Sequence, residues 1–176
     1  MIYPEAYINY LVHYHGSRDY FECHEILEDY WKEVDPGNKN SHWVGFILIA
    51  VSAYHHRRNN FIGAEKTLVK AINIMKNTPE NVLSTLGINV HAFFIMLDDN
   101  LEKIRCQQSY LPSNLPIIHD DLLALCQKVC KQGGYIWCQL NFKASDYLIN
   151  RHKLRDRSEI IKERVHQKLL RQQKNS

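Results

Sequence analysis

Residues 43–54, WVGFILIAVSAY, form an apolar run interrupted only by Gly45 and Ser52. At about 100° per residue, the apolar side chains of such a run point in every direction. A helix without a polar face has nothing to offer water, so other helices must surround it. A membrane span needs roughly 20 apolar residues, and this run is too short for that. Gly45, Ala50, Ser52 and Ala53 are small enough to let neighbours come close. The expectation is an all-α helical bundle around one buried central helix at about 43–58.

Local punctuation supplies the surrounding helices. Residues 4–15 read as a first helix, opened by Pro4 and stopped by Gly16. Asp19 with Glu22 three residues later makes a capping-box start for a second helix reaching Val34 before the turn Asp35-Pro36-Gly37-Asn38. Ser41 is placed to cap the central helix, and Asn60 a fourth helix over residues 61–76. A short helix within 78–86 and longer ones over 89–105 and 120–132 follow. Residues 135–142 suit a strand as well as a helix, and a last helix is expected over 156–173. The loop holding Pro112 and Pro116 divides a helical domain, 1–110, from a smaller C-terminal region, 117–176, with a helical extension.

Charge is divided unevenly. Residues 151–176 hold nine Lys or Arg against three acids, while the remainder carries 13 basic and 16 acidic residues. Arg151, Lys153, Arg155 and Arg157 therefore offer contacts to nucleic acid, although acids interrupt the tail and no aromatic platform is interleaved. A solvated helix face accounts for the same charges. Five cysteines without regular spacing point to reduced thiols in the cytoplasm, and residues 1–16 lack the pattern of a secretory leader. Cys126 and Cys130 share a helical face, with His119 and Cys138 close in sequence, but their spacing fits buried thiols better than a zinc site. No membrane contact is expected.

The second helix carries the chemistry. In YFECHEILEDYW, helical spacing gathers Tyr20, Phe21, His24, Leu27, Glu28 and Trp31 within about a 120° arc, with Glu25 at its edge. Imidazole and carboxylate inside an aromatic stripe need polar partners. His55 shares a face with Val44, Leu48 and Val51 of the central helix and is one candidate. A cluster of His24, Glu25, Glu28 and His55 fits three kinds of chemistry. It makes a satisfied network that fixes helix register, a divalent-metal site with His24, Glu28 and His55 as ligands, or a metal-free acid–base pair. A zincin motif is excluded because Glu28 stands where a histidine is required. There is no P-loop, dinucleotide fingerprint or nucleophile elbow.

These residues also carry a resemblance. YFECHEILEDYWKE followed by GFILIAVSAYHHRRNNFIGAEKTL resembles the family called domain of unknown function 309. The match falls on Phe21, Glu22, His24, Glu25, Glu28 and Trp31, then on His55, Asn60, Gly63 and Ala64, and covers roughly residues 15–76. The C-terminal RHKLRDRSEIIKER is similar to longer Firmicute members. The resemblance implies an all-helical fold with a central helix and implies no activity. A glutamine is common in that family where this chain has Leu48, two turns before His55. Its absence removes one polar partner from the cluster.

Residues 49–72 also read as one tight helical hairpin of the tetratricopeptide type, built on Ala50, Ala53, Ala64, Leu68 and Ala71, with no second copy about 34 residues on. Trp31, Asn60, Gly63 and Ala64 read as helix-packing positions. A hairpin beside a groove favours a non-catalytic binding or scaffold protein that takes a protein partner in a helical groove. The alternative is a metal-dependent hydrolase or related enzyme centred on His24, Glu25, Glu28 and His55.

Overall fold

The computed structural model describes residues 3–139 and 141–154. The chain runs through α1 (Glu5–Val12), a π turn (His13–Ser17), α2 (Tyr20–Val34), α3 (His42–Arg57), α4 (Phe61–Asn77), α5 (Glu80–Thr85), α6 (Val90–Arg105), α7 (Asp120–Gln132) and α8 (Asp146–Leu154). No strand forms among the described residues, where an isolated antiparallel bridge joins Ile88 to Ile117. The fold is an all-α bundle, as the periodicity requires. No helix among the described residues is long and apolar enough to cross a membrane.

Side-chain caps set several boundaries. Asp19 accepts from the Glu22 amide at 3.1 Å, Asn60 from Gly63 at 3.1 Å and Asn89 from Ala92 at 3.0 Å. Each satisfies a donor that the first helical turn leaves without a partner. Ser41 departs from the expectation: it holds the N-cap position of α3, yet its buried hydroxyl makes no capping bond.

α3 is the central helix, packed between α2 and α4 and touched by the aromatic residues of α1. The Tyr10 hydroxyl donates to the Phe46 carbonyl at 2.9 Å, and Ser52 donates to the Ala64 carbonyl at 2.8 Å. Met75 of α4 lies so near Gly45 that an added Cβ would sit 2.6 Å from its terminal methyl. The small residues of the central run thus admit α4.

The expectation of burial on all sides needs correction. Trp43, Gly45, Phe46, Ile47, Ile49, Ala50, Ser52 and Tyr54 are buried, but Val44, Leu48, Val51 and Ala53 are only half-buried. Val44, Leu48 and Val51 lie along one stripe at helical spacing, and His55 continues it. The neighbouring helices leave this stripe incompletely covered.

The C-terminal part joins the same core. α7 packs on α1, and Leu115, Leu122, Cys126 and Cys130 belong to one apolar cluster with α1–α6. Gly16 sits in the π turn where Cys130 comes near: a Cβ there would lie 2.6 Å from the Cys130 Sγ. Residues 135–139 are irregular, with a turn at 137–138 rather than a strand, and Trp137 stacks on His15 at a ring separation of 4.5 Å. The last described helix, α8, begins at Asp146, ten residues before the helix expected from the sequence. That expected helix, Arg155 and Arg157 lie outside the described residues.

Candidate functional site

The buried spine of α2 is Tyr20, Cys23 and Leu27. His24 and Glu28 lie one residue beyond Cys23 and Leu27, so helical rotation carries them to the margin of that spine. Their side chains are 30% and 33% exposed, and Glu25 is 25% exposed. The site is therefore a half-wet rim, where the arc drawn from the sequence placed His24 and Glu28 within the apolar stripe.

The three groups meet. His24 Nδ1 is 2.9 Å from Glu25 Oε1, and His24 Nε2 is 3.3 Å from Glu28 Oε2. Lys32 Nζ then approaches the other Glu28 oxygen at 3.0 Å. A neutral imidazole has a single N–H and can donate it to only one of these carboxylates. Potential ligand atoms of His24, Glu25 and Glu28 all lie within 4.8 Å of one another, a grouping that does not include His55.

His55 faces the same space from across it. A groove of about 200 Å³ between α2 and α3 is lined by Tyr20, Phe21, His24, Val51, Tyr54 and His55. His55 Nδ1 accepts from the Asn60 side-chain amide at 3.0 Å, which aims the ring. Burial, helped by the Arg58 charge, lowers its pKa. The walls are aromatic and aliphatic, while α2 carries five acids, Glu22, Glu25, Glu28, Asp29 and Glu33, against the single Lys32.

The packing residues close the groove's surroundings. Asn60 caps α4 with its oxygen while its nitrogen holds His55. A Cβ on Gly63 would lie 2.7 Å from that nitrogen, so a side chain here would push the cap aside. Ala64 is fully buried against α3. Trp31 packs on the core, and its indole N–H donates to the Asn38 carbonyl at 3.0 Å, closing the turn from α2 to α3.

Arg151 of α8 pairs with Asp19 and Glu22, with its guanidinium 5.6 Å from the centre of the Phe21 ring. This member of the basic tail is therefore engaged on α2. The Lys153 side chain lies outside the described positions.

The thiols Cys126 and Cys130 are buried in the core. Burial, with the neighbouring Cys130 thiol second, pushes Cys126 up to about 12. His119 Nδ1 is instead 2.7 Å from the Tyr3 hydroxyl. No metal-competent group forms from these residues among those described.

Two basic residues had no sequence signal. Arg18 is 1% exposed and has a left-handed backbone, with φ of 54°. It donates to the Tyr14 and Ser113 carbonyls and to Asn114 Oδ1. His15 is equally buried, and both its ring nitrogens are tied to backbone groups. A Gly-Ser-Arg sequence ordinarily reads as a solvated turn, and only the loop crossing from residues 113–115 reveals otherwise.

The model of the family described as "Domain of unknown function (DUF309)" matches residues 7–67, which span α1 to the first part of α4 and contain the whole groove. The uncharacterized protein YpuF of Bacillus subtilis (strain 168) is 40% identical over 163 residues, covering 93% of each chain. No solved structure matches the chain. Neither name assigns an activity. The match to the family model and this similarity along nearly the whole chain place it in the DUF309 family.

Proposed function

We propose that this chain is a non-catalytic cytoplasmic binding protein whose α2–α3 groove takes a basic, amphipathic helix. The observation that carries the reading is the half-covered apolar stripe Val44, Leu48 and Val51 on the central helix of the bundle. Apolar surface left open beside a groove is the usual ground for helix-in-groove recognition. Glu25 and Glu28, beside the groove residue His24, favour Lys or Arg flanking the apolar stripe of the incoming helix. Carboxylates facing both nitrogens of His24 leave neither directed freely at a substrate, which supports recognition over acid–base catalysis.

The test is a titration with a synthetic helix carrying a leucine stripe flanked by Lys and Arg. Expected are resonance changes centred on Phe21, Val51 and Tyr54, and affinity at least about tenfold weaker for Val51→Asp. Binding that ignores Val51→Asp would overturn the groove reading.

A second reading rests on the grouping of His24, Glu25 and Glu28, whose ligand atoms lie within 4.8 Å of one another. An imidazole and two carboxylates suit zinc or manganese. A divalent ion would draw the set together and release Lys32 from Glu28. Metal content of tag-free protein, compared with that of His24→Ala, decides it: stoichiometric metal lost in the variant supports the site, and metal-free wild-type protein after growth in supplemented medium rejects it.

A further inference from the structure

We propose that the groove's occupant is this chain's own C-terminal segment, residues 155–176, laid along α2 and α3 in cis. This rests on the reading of the groove as a helix-binding site and names the helix. Three independent observations converge on it.

The first is where the chain emerges. α8 packs on α2, and its Arg151 meets Asp19 and Glu22 with the guanidinium over Phe21, a residue that lines the groove. The Leu148 carbonyl on the same helix accepts from Arg57 at 2.9 Å. The chain therefore reaches residue 154 already anchored at the Phe21 end of the groove.

The second is length. From Val44 to His55 the half-covered α3 wall extends about 17 Å at 1.5 Å per residue. The segment that follows α8 has 22 residues, more than the roughly 11 helical residues needed to cover that wall.

The third is pattern. Placed at about 100° per residue, Ile161, Val165 and Leu169 fall on one stripe. Arg157, Arg164, Lys168 and Arg171 border it on one side and Lys162 on the other. Asp156, Glu159 and Glu163 fall on the opposite face. The acids that interrupt this segment in sequence therefore leave its apolar stripe edged by positive charge alone. An apolar stripe with basic edges is the complement of an apolar groove whose α2 rim carries Glu25 and Glu28. In cis the high effective concentration of a short tether favours the contact further.

The experiment uses the full chain at low concentration with a carbodiimide that couples Lys amines directly to carboxylates. Expected are links from Lys162 or Lys168 to Glu25 or Glu28. In an equal mixture of light and isotope-labelled chains, every such link stays within one chain. Val51→Asp, at a half-exposed position that leaves the helical content intact by circular dichroism, should reduce these links. It should also speed tryptic cutting after Lys162, Arg164 and Lys168 by about tenfold, as an unlatched segment becomes locally open. Links between light and heavy chains would show that a second copy fills the groove and would overturn the cis proposal. Equal tryptic rates in the two proteins, or protection of the tail only by added RNA or DNA, would overturn it as well. If no link to α2 forms but the synthetic basic helix still perturbs Phe21, Val51 and Tyr54, the tail proposal falls and the groove reading stands. If neither occurs, both fall.

Discussion

The Leu115 amide donates to His15 Nε2 at 2.9 Å, across 100 residues of sequence. The other ring nitrogen, Nδ1, meets the Leu11 carbonyl at 2.9 Å, so the ring is held as the neutral tautomer with its proton on Nδ1. This pair ties the loop before α7 to the π turn, and Arg18 reinforces the tie through Ser113 and Asn114.

The tie makes stability depend on acid. Burial lowers the His15 pKa from 6.5 to about 4. Between those values the unfolded chain binds a proton that the folded chain refuses. Stability is therefore full above about pH 6.5, falls as the pH drops towards 4, and levels off below that. The loss reaches about 3 kcal/mol for this group. Urea unfolding of wild type and His15→Gln at pH 7, 5 and 4 checks it. The difference between the two proteins should shrink as the pH falls, and a constant difference would contradict the account.

Gly16 should resist enlargement. A Cβ at this position would sit 2.6 Å from Cys130 Sγ and 3.2 Å from Tyr135 Cβ. Gly16→Ala is expected to cost about 1–3 kcal/mol through overpacking. Combined with Cys130→Ala it should cost less than the sum of the two single changes, because the clash partner is gone. Additive losses in thermal unfolding would show that the contact is not the cause.

The Asn60–Gly63 pair predicts two kinds of damage. Asn60→Ala removes the α4 cap and releases His55, costing about 1 kcal/mol, whereas Asn60→Asp keeps the capping oxygen and loses only the bond to His55. Gly63→Ala crowds the same side chain and should cost a similar amount despite alanine's better helix propensity. Chemical denaturation of the three variants tests the order. A stabilised Gly63→Ala would refute the crowding.

His24 and Glu28 are predicted to matter little for stability. Both are about one-third exposed, so water can solvate whichever partner is left behind. His24→Ala and Glu28→Ala should each cost under about 1 kcal/mol. The same changes should weaken binding of a basic helix at the groove, or abolish metal uptake in the alternative reading. Losses of several kcal/mol would instead assign these residues to the framework.

Much of this architecture is legible in the chain because its determinants are local. Asp19 before Glu22, Asn60 before Gly63 and Asn89 before Ala92 bind amides three residues away, so the capped starts of α2, α4 and α6 can be read without knowing the fold. The meeting of His24 with Glu28 is legible for the same reason, being a matter of helical pitch. The central place of α3 follows from its lack of a polar face.

What lies between elements is not local. Nothing in WVGFILIAVSAY distinguishes Val44, Leu48 and Val51 from their buried neighbours, because coverage is set by where α1, α2 and α4 happen to pack. The position of His55 across the groove, outside the His24–Glu25–Glu28 group, depends equally on how α3 lies against α2. Arg18 and His15 owe their burial to a loop about 100 residues later in the chain. The amino-acid sequence by itself determined helices α1 to α7, the Asp19 and Asn60 caps and the meeting of His24 with Glu28, since these need only neighbours a turn away. Tertiary structure alone decided which face of the central helix stays open, because that depends on the space other helices leave unfilled.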